Sequence, residues 1–342
     1  MNYKISIIIP TYNAENYILN AINSLIYQTI GFNNLEVILV DDNSTDNTKK
    51  ILEELSEKYE NIKTIFLDEN SGSPSKPRNI GIIKAKSEYI MFLDNDDSYC
   101  KDFCEKMYFT IQKYDADIVT CRNYDIINGK ISKYHSILDK KDEFIELNSI
   151  EEDDTLLSTT SMLIWNKIYR KRLLEKHKIE FPIGTLYEDV NFNLKTFMNA
   201  KKIIFLNDYY GYNYNIRLDE KNKSTSQDFK KENLIKFYNG LKRIYEILEK
   251  ENKHYENFES EMLIGFTKWL ILTDCELDYK MKLFKDLKTH YKSFNLFLRL
   301  EHIPLLQNIL INLGIKFFSL NDFFFKFFIK VANLRFVKKK MN

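Results

Sequence analysis

Three carboxylates stand at the end of what reads as a core strand. Tyr89 to Leu93 is apolar and aromatic, and Asp94, Asn95, Asp96 and Asp97 follow it directly. Like charges this close repel, so the cluster needs a reason. One is a solvated turn with a helix N-cap, since Asp suits both. The other is a divalent cation, whose charge offsets the repulsion. A second acidic pair, Asp41 and Asp42, ends the run LEVILV, and a third, Glu188 and Asp189, lies in YEDVNF. Neither GxGxxG nor GxxxxGK(S/T) occurs, so dinucleotide and P-loop readings lack their phosphate cradle.

The segments carrying these residues alternate between strand-like and helix-like. KISIIIP is an apolar run stopped by Pro10. From 14 to 28, Tyr17, Ile18, Ala21, Ile22, Leu25 and Ile26 recur at helical spacing. LEVILVDD reads as a second buried strand, STDNTKKILEELSEKY as a capped helix, IKTIFL as a third strand, SKPRNIGIIKAK as a helix and YIMFLD as a fourth strand. Such alternation predicts an α/β fold with a mostly parallel sheet covered on both faces. Ligands of these sheets bind beyond the carboxyl ends of the strands. Pro10-Thr11-Tyr12-Asn13, Asp41-Asp42-Asn43-Ser44 and Asp94-Asn95-Asp96-Asp97 all fall there. Their convergence points to a nucleotide and metal site.

The 342 residues predict roughly two domains, and 44% hydrophobic content supports real cores. A net charge of +1 argues against a general nucleic-acid binder. Cys100, Cys104, Cys121 and Cys275 form no CxxC pair and read as free thiols of a reducing cytosol. The five His show no metal-ligand spacing. The N-terminal apolar run is too short for a signal peptide and reads as a first strand.

In order and spacing, five pieces resemble the family 2 glycosyltransferases, which have the GT-A fold, a Rossmann-like sheet with flanking helices. The pieces are ISIIIPTYNAENYILNAINSLIYQT, LEVILVDDNSTDNT, NSGSPSKPRNIGIIKAKSEYIMFLDNDD, WNKIYRKRLL and FPIGTLYEDVNF, spanning residues 5 to about 192. The resemblance implies inverting transfer of a sugar from a nucleotide diphosphate donor, with UDP-sugar favoured, to an acceptor hydroxyl. It implies Mn²⁺ or Mg²⁺ as cofactor. DND at 94 to 96 matches the family's DxD motif: Asp96 as direct metal ligand, Asp94 on the ribose or the metal's water shell, Asn95 beside the donor, and Asp97 left to cap the next helix. Tyr12 is expected to stack on the base, Pro10 and Thr11 to lend backbone contacts, and Asp42, with Asp41 as alternate, to bond the uracil edge. Arg78 is expected to face the nucleotide or a DxD carboxylate. By the same match Asp189 is the catalytic base and Glu188 orients the acceptor. Trp165 and Lys167 in WNKIY are acceptor-side candidates: an exposed Trp can stack on a sugar, although core packing competes, and Lys167 can meet an anionic acceptor or diphosphate. Arg217 is a diphosphate candidate in a loop, 212 to 226, that resembles one closing over the donor.

The chain divides near 220 to 230, into a 1–225 catalytic domain and a 226–342 all-helical domain that the resemblance does not cover. From 303 to 333 polar residues form one stripe, and Leu305, Ile309, Leu313, Phe317, Phe324, Phe328 and Val331 lie opposite. From Lys316 onward seven Lys and Arg face Asp322 alone. No window of about 18 residues there avoids charge, so a transmembrane span is not expected. Packing in the domain and peripheral attachment to anionic lipid compete, and the basic tail favours the membrane. The implied setting is surface-glycan synthesis (capsule, teichoic acid or lipo-oligosaccharide) in the cytoplasm, at the inner membrane face. The acceptor is then a glycan, a polyol phosphate or a lipid-linked molecule. A helical domain of this kind can also mediate a homo-oligomer. Two other classes compete: a sugar nucleotidyltransferase, which needs a Gly-rich triphosphate loop that PTYNAENY lacks, and a non-catalytic nucleotide-sugar binder, which would have shed its carboxylates.

Overall fold

A computed structural model describes residues 2–134, 140–160, 162–217 and 228–288. They fall into two compact units. One comprises 2–184 and 188–217, and the other 185–187 and 228–288.

The first unit opens with the anticipated alternation. Strands β1 (Ile5–Thr11), β2 (Leu35–Asp41), β3 (Ile62–Phe66) and β4 (Tyr89–Phe92) are separated by helices α1 (Ile18–Ile26), α2 (Thr48–Lys58) and α3 (Ser75–Lys84). These four strands are parallel, in the order β3-β2-β1-β4. Every residue of β1 and β2 is buried, as expected for strands covered on both faces. β1 runs through Pro10 to Thr11 instead of stopping at the proline. Its pairing with β4 ends at Ile8, and the Pro10 carbonyl on that side accepts from Asn95 Nδ2 at 3.0 Å. No ladder donor is therefore demanded of the proline nitrogen. Helix α3 lies tight on the sheet because Gly81 has no Cβ to meet the Ile8 side chain.

The alternation breaks after residue 100. β5 (Ser98–Tyr99), α4 (Phe103–Lys113), β6 (Ile118–Ile127), β7 (Lys130–Lys133), β8 (Phe144–Leu147), α5 (Leu156–Thr159), β9 (Lys167–Arg170), α6 (Lys171–Lys176), α7 (Glu188–Asn199) and β10 (Ile203–Ile216) follow. β9 enters the sheet antiparallel between β4 and β6, so the mostly parallel sheet expected from sequence is parallel only in its first half and mixed beyond it. β10 is parallel to β6 and antiparallel to β5 and β8. β6 and β7 form a hairpin whose turn, Asn128-Gly129, has φ 49° and 76°. Two positive φ values match the twist of the flanking strands, and Asn-Gly adopts them readily.

The second unit holds α8 (Lys231–Lys250), α9 (Glu256–Leu272) and α10 (Leu277–Lys288). On α8, Leu234, Phe237, Leu241, Ile244 and Leu248 are buried at spacings of three and four. Phe237 stacks on Trp269 of α9, with centroids 5.3 Å apart. The tripeptide 185–187 belongs to this unit. Leu186 N–H donates to Lys236 O, the Tyr187 ring meets Phe237, and the Leu186 carbonyl occupies the space a Cβ on Gly240 would need. No described helix is long and apolar enough to cross a membrane. The amphipathic stretch and basic tail read from 303 onward lie outside the described residues.

Candidate active site

The carboxyl ends of β1, β2 and β4 meet the N-terminal turn of α7, the middle of α3 and the end of β10, all within the first unit. Arg78 is the hub. It projects from α3, and its side chain is only 4% exposed. Nη2 donates to Asp94 Oδ1 at 2.8 Å and Nη1 to Asp189 Oδ1 at 2.7 Å, with Glu188 Oε1 3.6 Å from Nη1. One guanidinium thus joins the strand-end cluster to the helix-borne acidic pair. A planar fork with several donors suits this role, and a lysine could not span it.

The titration behaviour follows from burial. Taking the Asp189 carboxylate out of water pushes it up to about 7; Arg78 opposes this, Glu188 and Asp94 add to it, and Lys167 opposes it. Glu188 is raised by burial against the pull of Arg78. Desolvation alone would lower Arg78, but Asp189, Asp94 and Glu188 together hold it above its ordinary range. Asp96 is raised by burial and by Asp94, and Arg217 opposes the shift.

The end of β10 is strapped to the acidic turn. Asn215 N–H donates to Asp97 Oδ1 and Tyr212 Oη to Asp97 Oδ2, both at 2.7 Å. Asn215 Nδ2 donates to the Asp96 carbonyl at 2.7 Å, and Arg217 Nη2 lies 2.8 Å from Asp96 Oδ2. Asp97 is therefore no helix cap. It is a buried acid serving β10, and α4 starts after Asp102 instead. The loop expected from 212 is corrected here: residues 212 to 216 are the end of β10, paired with β6, and nothing local says which turn the end of a strand will meet.

At the end of β1, Tyr12 is 47% exposed. Thr11 Oγ1 and Ser44 N–H both donate to Asp41, which is thereby used up within the turn. The Asp42 carboxylate accepts from Ser71 N–H and Ser71 Oγ at 3.0 Å and so fixes the loop before α3.

Two expectations are corrected. Trp165 is 2% exposed, stacked 4.1 Å from Tyr212 and 5.5 Å from Tyr214, so it is a core side chain and no sugar platform. Lys167 is fully buried, its Nζ donating to Leu163 O and Asn166 Oδ1 at 2.7 Å, and it offers nothing to an anion in solvent. WNKIY runs into β9, an inner strand of the sheet, and its side chains are taken up by the two covering layers.

Among the described residues no group of three or more His, Cys, Asp or Glu could hold a metal unaided. Asp94 and Asp96 are hard oxygen donors, and Asp96, raised by burial and by Asp94, already pairs with one cation, Arg217. That donor set fits an ion of the Mg²⁺ or Mn²⁺ kind, which takes one or two carboxylates and completes its shell with phosphates and water.

The family model for glycosyl transferase family 2 matches residues 6–177. The chain belongs to that family. It is 35% identical over 210 residues to the poly(ribitol-phosphate) beta-N-acetylglucosaminyltransferase TarS of Staphylococcus aureus, covering 60% of this chain and 35% of TarS. It is 35% identical over 225 residues to the poly(ribitol-phosphate) beta-glucosyltransferase of Bacillus spizizenii, covering 65% and 34%. The chain thus spans about a third of the length of these relatives. A crystal structure of S. aureus TarS 1-349 shares the fold, with a TM-score of 0.67 at 23% identity, over 97% of this chain and 91% of that one. The same fragment in complex with UDP-GlcNAc gives a TM-score of 0.57 at 25% identity, over 99% and 91%. The fold is GT-A, with a mixed α/β sheet and a helical C-terminal region.

Proposed function

We propose that this chain is an inverting glycosyltransferase that moves a sugar from a UDP-sugar to a hydroxyl of a polyol-phosphate polymer in cell-surface glycan synthesis. The observation carrying the proposal is the Arg78 bridge, which fixes an acid of raised proton affinity against the acidic turn at a strand end. The relatives that act on poly(ribitol phosphate) and the UDP-GlcNAc complex of TarS support the substrate classes.

In this reading the Asp189 carboxylate accepts the proton of the acceptor hydroxyl as its oxygen bonds to the anomeric carbon. The anomeric carbon–phosphate oxygen bond breaks on the opposite side, and UDP departs. A base near neutrality is well matched to that transfer. Arg78 holds the carboxylate in place, and Glu188 orients the acceptor. Tyr12 stacks on the uracil, Asp42 bonds its edge once Ser71 yields, and Pro10, Thr11 and Asn95 line the donor. Asp96 and Asp94 would hold Mn²⁺ or Mg²⁺, which when bound supplies positive charge to the leaving diphosphate. Arg217, released from Asp96, meets the same phosphates in this reading. A peripheral position at the inner membrane face would bring the enzyme to a lipid-linked polymer, and the basic sequence after Lys316 supports it.

The test is UDP release from UDP-GlcNAc and UDP-glucose, with and without Mn²⁺ and poly(ribitol phosphate). Wild type is expected to need both additions, and Asp96→Asn and Asp189→Asn to lose transfer. No release from any donor, together with no UDP binding by calorimetry, would refute the reading.

A further inference from the structure

Lys167 is a costly residue where it lies. An ammonium with no exposure loses its hydration, and a methionine would fill the volume without that cost. Its bonds show what it does. Met162, Leu163 and Ile164 form an irregular segment ahead of β9, and their carbonyls are each met by a fully buried side chain. Asn193 Nδ2 donates to Met162 O at 2.7 Å, Lys167 Nζ to Leu163 O at 2.7 Å, and Tyr169 Oη lies 3.3 Å from Ile164 O. Tyr169 Oη also donates to Asn193 Oδ1 at 2.8 Å, closing the group. Asn193 is one helical turn after Asp189 on α7, so the two share a face.

We propose that Lys167, with Tyr169 and Asn193, is a positioning residue that docks the base-bearing turn of α7 onto the segment 162–164. This inference rests on the assignment of Asp189 as base. Lys167 touches no reacting atom. It fixes the surface against which α7 stands, and so the distance from Asp189 to an acceptor hydroxyl. It also brings positive charge toward Asp189. The groups facing Asp189 are Arg78 from α3, Asp94 from the turn after β4, Glu188 on its own helix and Lys167 from β9. Cys121 of β6 and Asp189 are among those facing Lys167; burial pulls the ammonium down to about 7 against both.

The experiment compares wild type, Lys167→Met and Tyr169→Phe in the full chain. UDP affinity with Mn²⁺ is measured by calorimetry, kcat and the pH profile of kcat/KM by UDP release from UDP-GlcNAc with Mn²⁺ and poly(ribitol phosphate), and backbone order by hydrogen exchange. For Lys167→Met, UDP affinity should stay within about twofold while kcat falls on the order of 10- to 100-fold, as a displaced base requires. The acid limb of the profile should move to higher pH, because loss of a cation favours the protonated acid. Amides of 162–166 and of the first turns of α7 should exchange faster together, with β1 to β3 unchanged. Tyr169→Phe should show a smaller loss in kcat and no shift of the limb. An unshifted limb with unchanged kcat overturns the proposal, as does loss of UDP affinity in step with kcat. If wild type releases no UDP, the functional reading fails, and the exchange data alone decide: faster exchange confined to 162–166 overturns the docking role.

Discussion

Arg78 Nη1 lies 2.7 Å from Asp189 Oδ1, and the guanidinium that makes this contact also holds Asp94. Arg78 and Asp189 are 111 positions apart, and through this one buried cation Asp94 and Asp189 are fixed to each other. Arg78→Lys and Arg78→Met should both lower transfer on the order of 100-fold, since neither spans two carboxylates. Arg78→Met should also destabilise the fold by about 3 kcal/mol at pH 8, where three acids lose their common partner. Steady-state UDP release and urea unfolding report the two effects; full activity in Arg78→Lys would refute the bridge as a requirement.

The raised proton affinity of Asp189 makes stability depend on pH in a defined direction. Folded Asp189 keeps its proton up to about pH 7, whereas an ordinary Asp releases it near 3.8. Between those values the folded state binds more protons, so its stability falls as pH rises, and the loss is complete above about 7. Asp189→Asn removes this term. The melting temperature of the variant relative to wild type should therefore climb from pH 5 to pH 8, and a difference that stays flat would contradict the burial argument.

Trp165 is expected to act on stability and not on acceptor recognition. Trp165→Ala leaves a hole beside Tyr212 and Tyr214 and should cost about 3–5 kcal/mol. A variant that melts like wild type but has a raised acceptor KM would restore the sugar-platform reading.

On the proposed reading, Arg217 and a metal ion would compete for Asp96. An ion pair at 2.8 Å with a third of the arginine side chain exposed is weak in water. Arg217→Gln should bind Mn²⁺ about two- to fivefold more tightly without donor, the release of an interaction worth ~0.5–1 kcal/mol. Its UDP affinity should fall, because the guanidinium is then missing from the phosphates. Titration calorimetry separates the two, and weaker Mn²⁺ binding would show that the pair does not compete.

What could be read from the sequence was what local pattern determines. The runs ISIIIP, LEVILV and YIMFL announce buried strands by composition alone, and polar residues at their ends had to share one edge of a parallel sheet. Asn128-Gly129 is a local hairpin signal of the same kind. Long-range pairing left no such trace. Nothing in KIYR says that it pairs antiparallel with β4 and β6, and that placement is what buries Trp165 and Lys167. An acid after a strand suits a cap, but the partners of Asp97 lie 115 and 118 residues away. The hub role of Arg78 follows from Asp94 and Asp189 meeting in space, which spacing along the chain does not encode.

The tripeptide 185–187 has a bearing on how such enzymes can be recombined. It packs with α8, its carbonyl at Leu186 filling the notch that Gly240 leaves, and Tyr187 holds φ at 64°, a left-handed value unusual for a bulky residue. The next residue is Glu188. A chimera spliced only between β10 and α8 would exchange the helices yet keep the foreign tripeptide, and any side chain at position 240 would evict it. The module that evolution or an engineer can swap is therefore discontinuous: the helices and these three residues travel together.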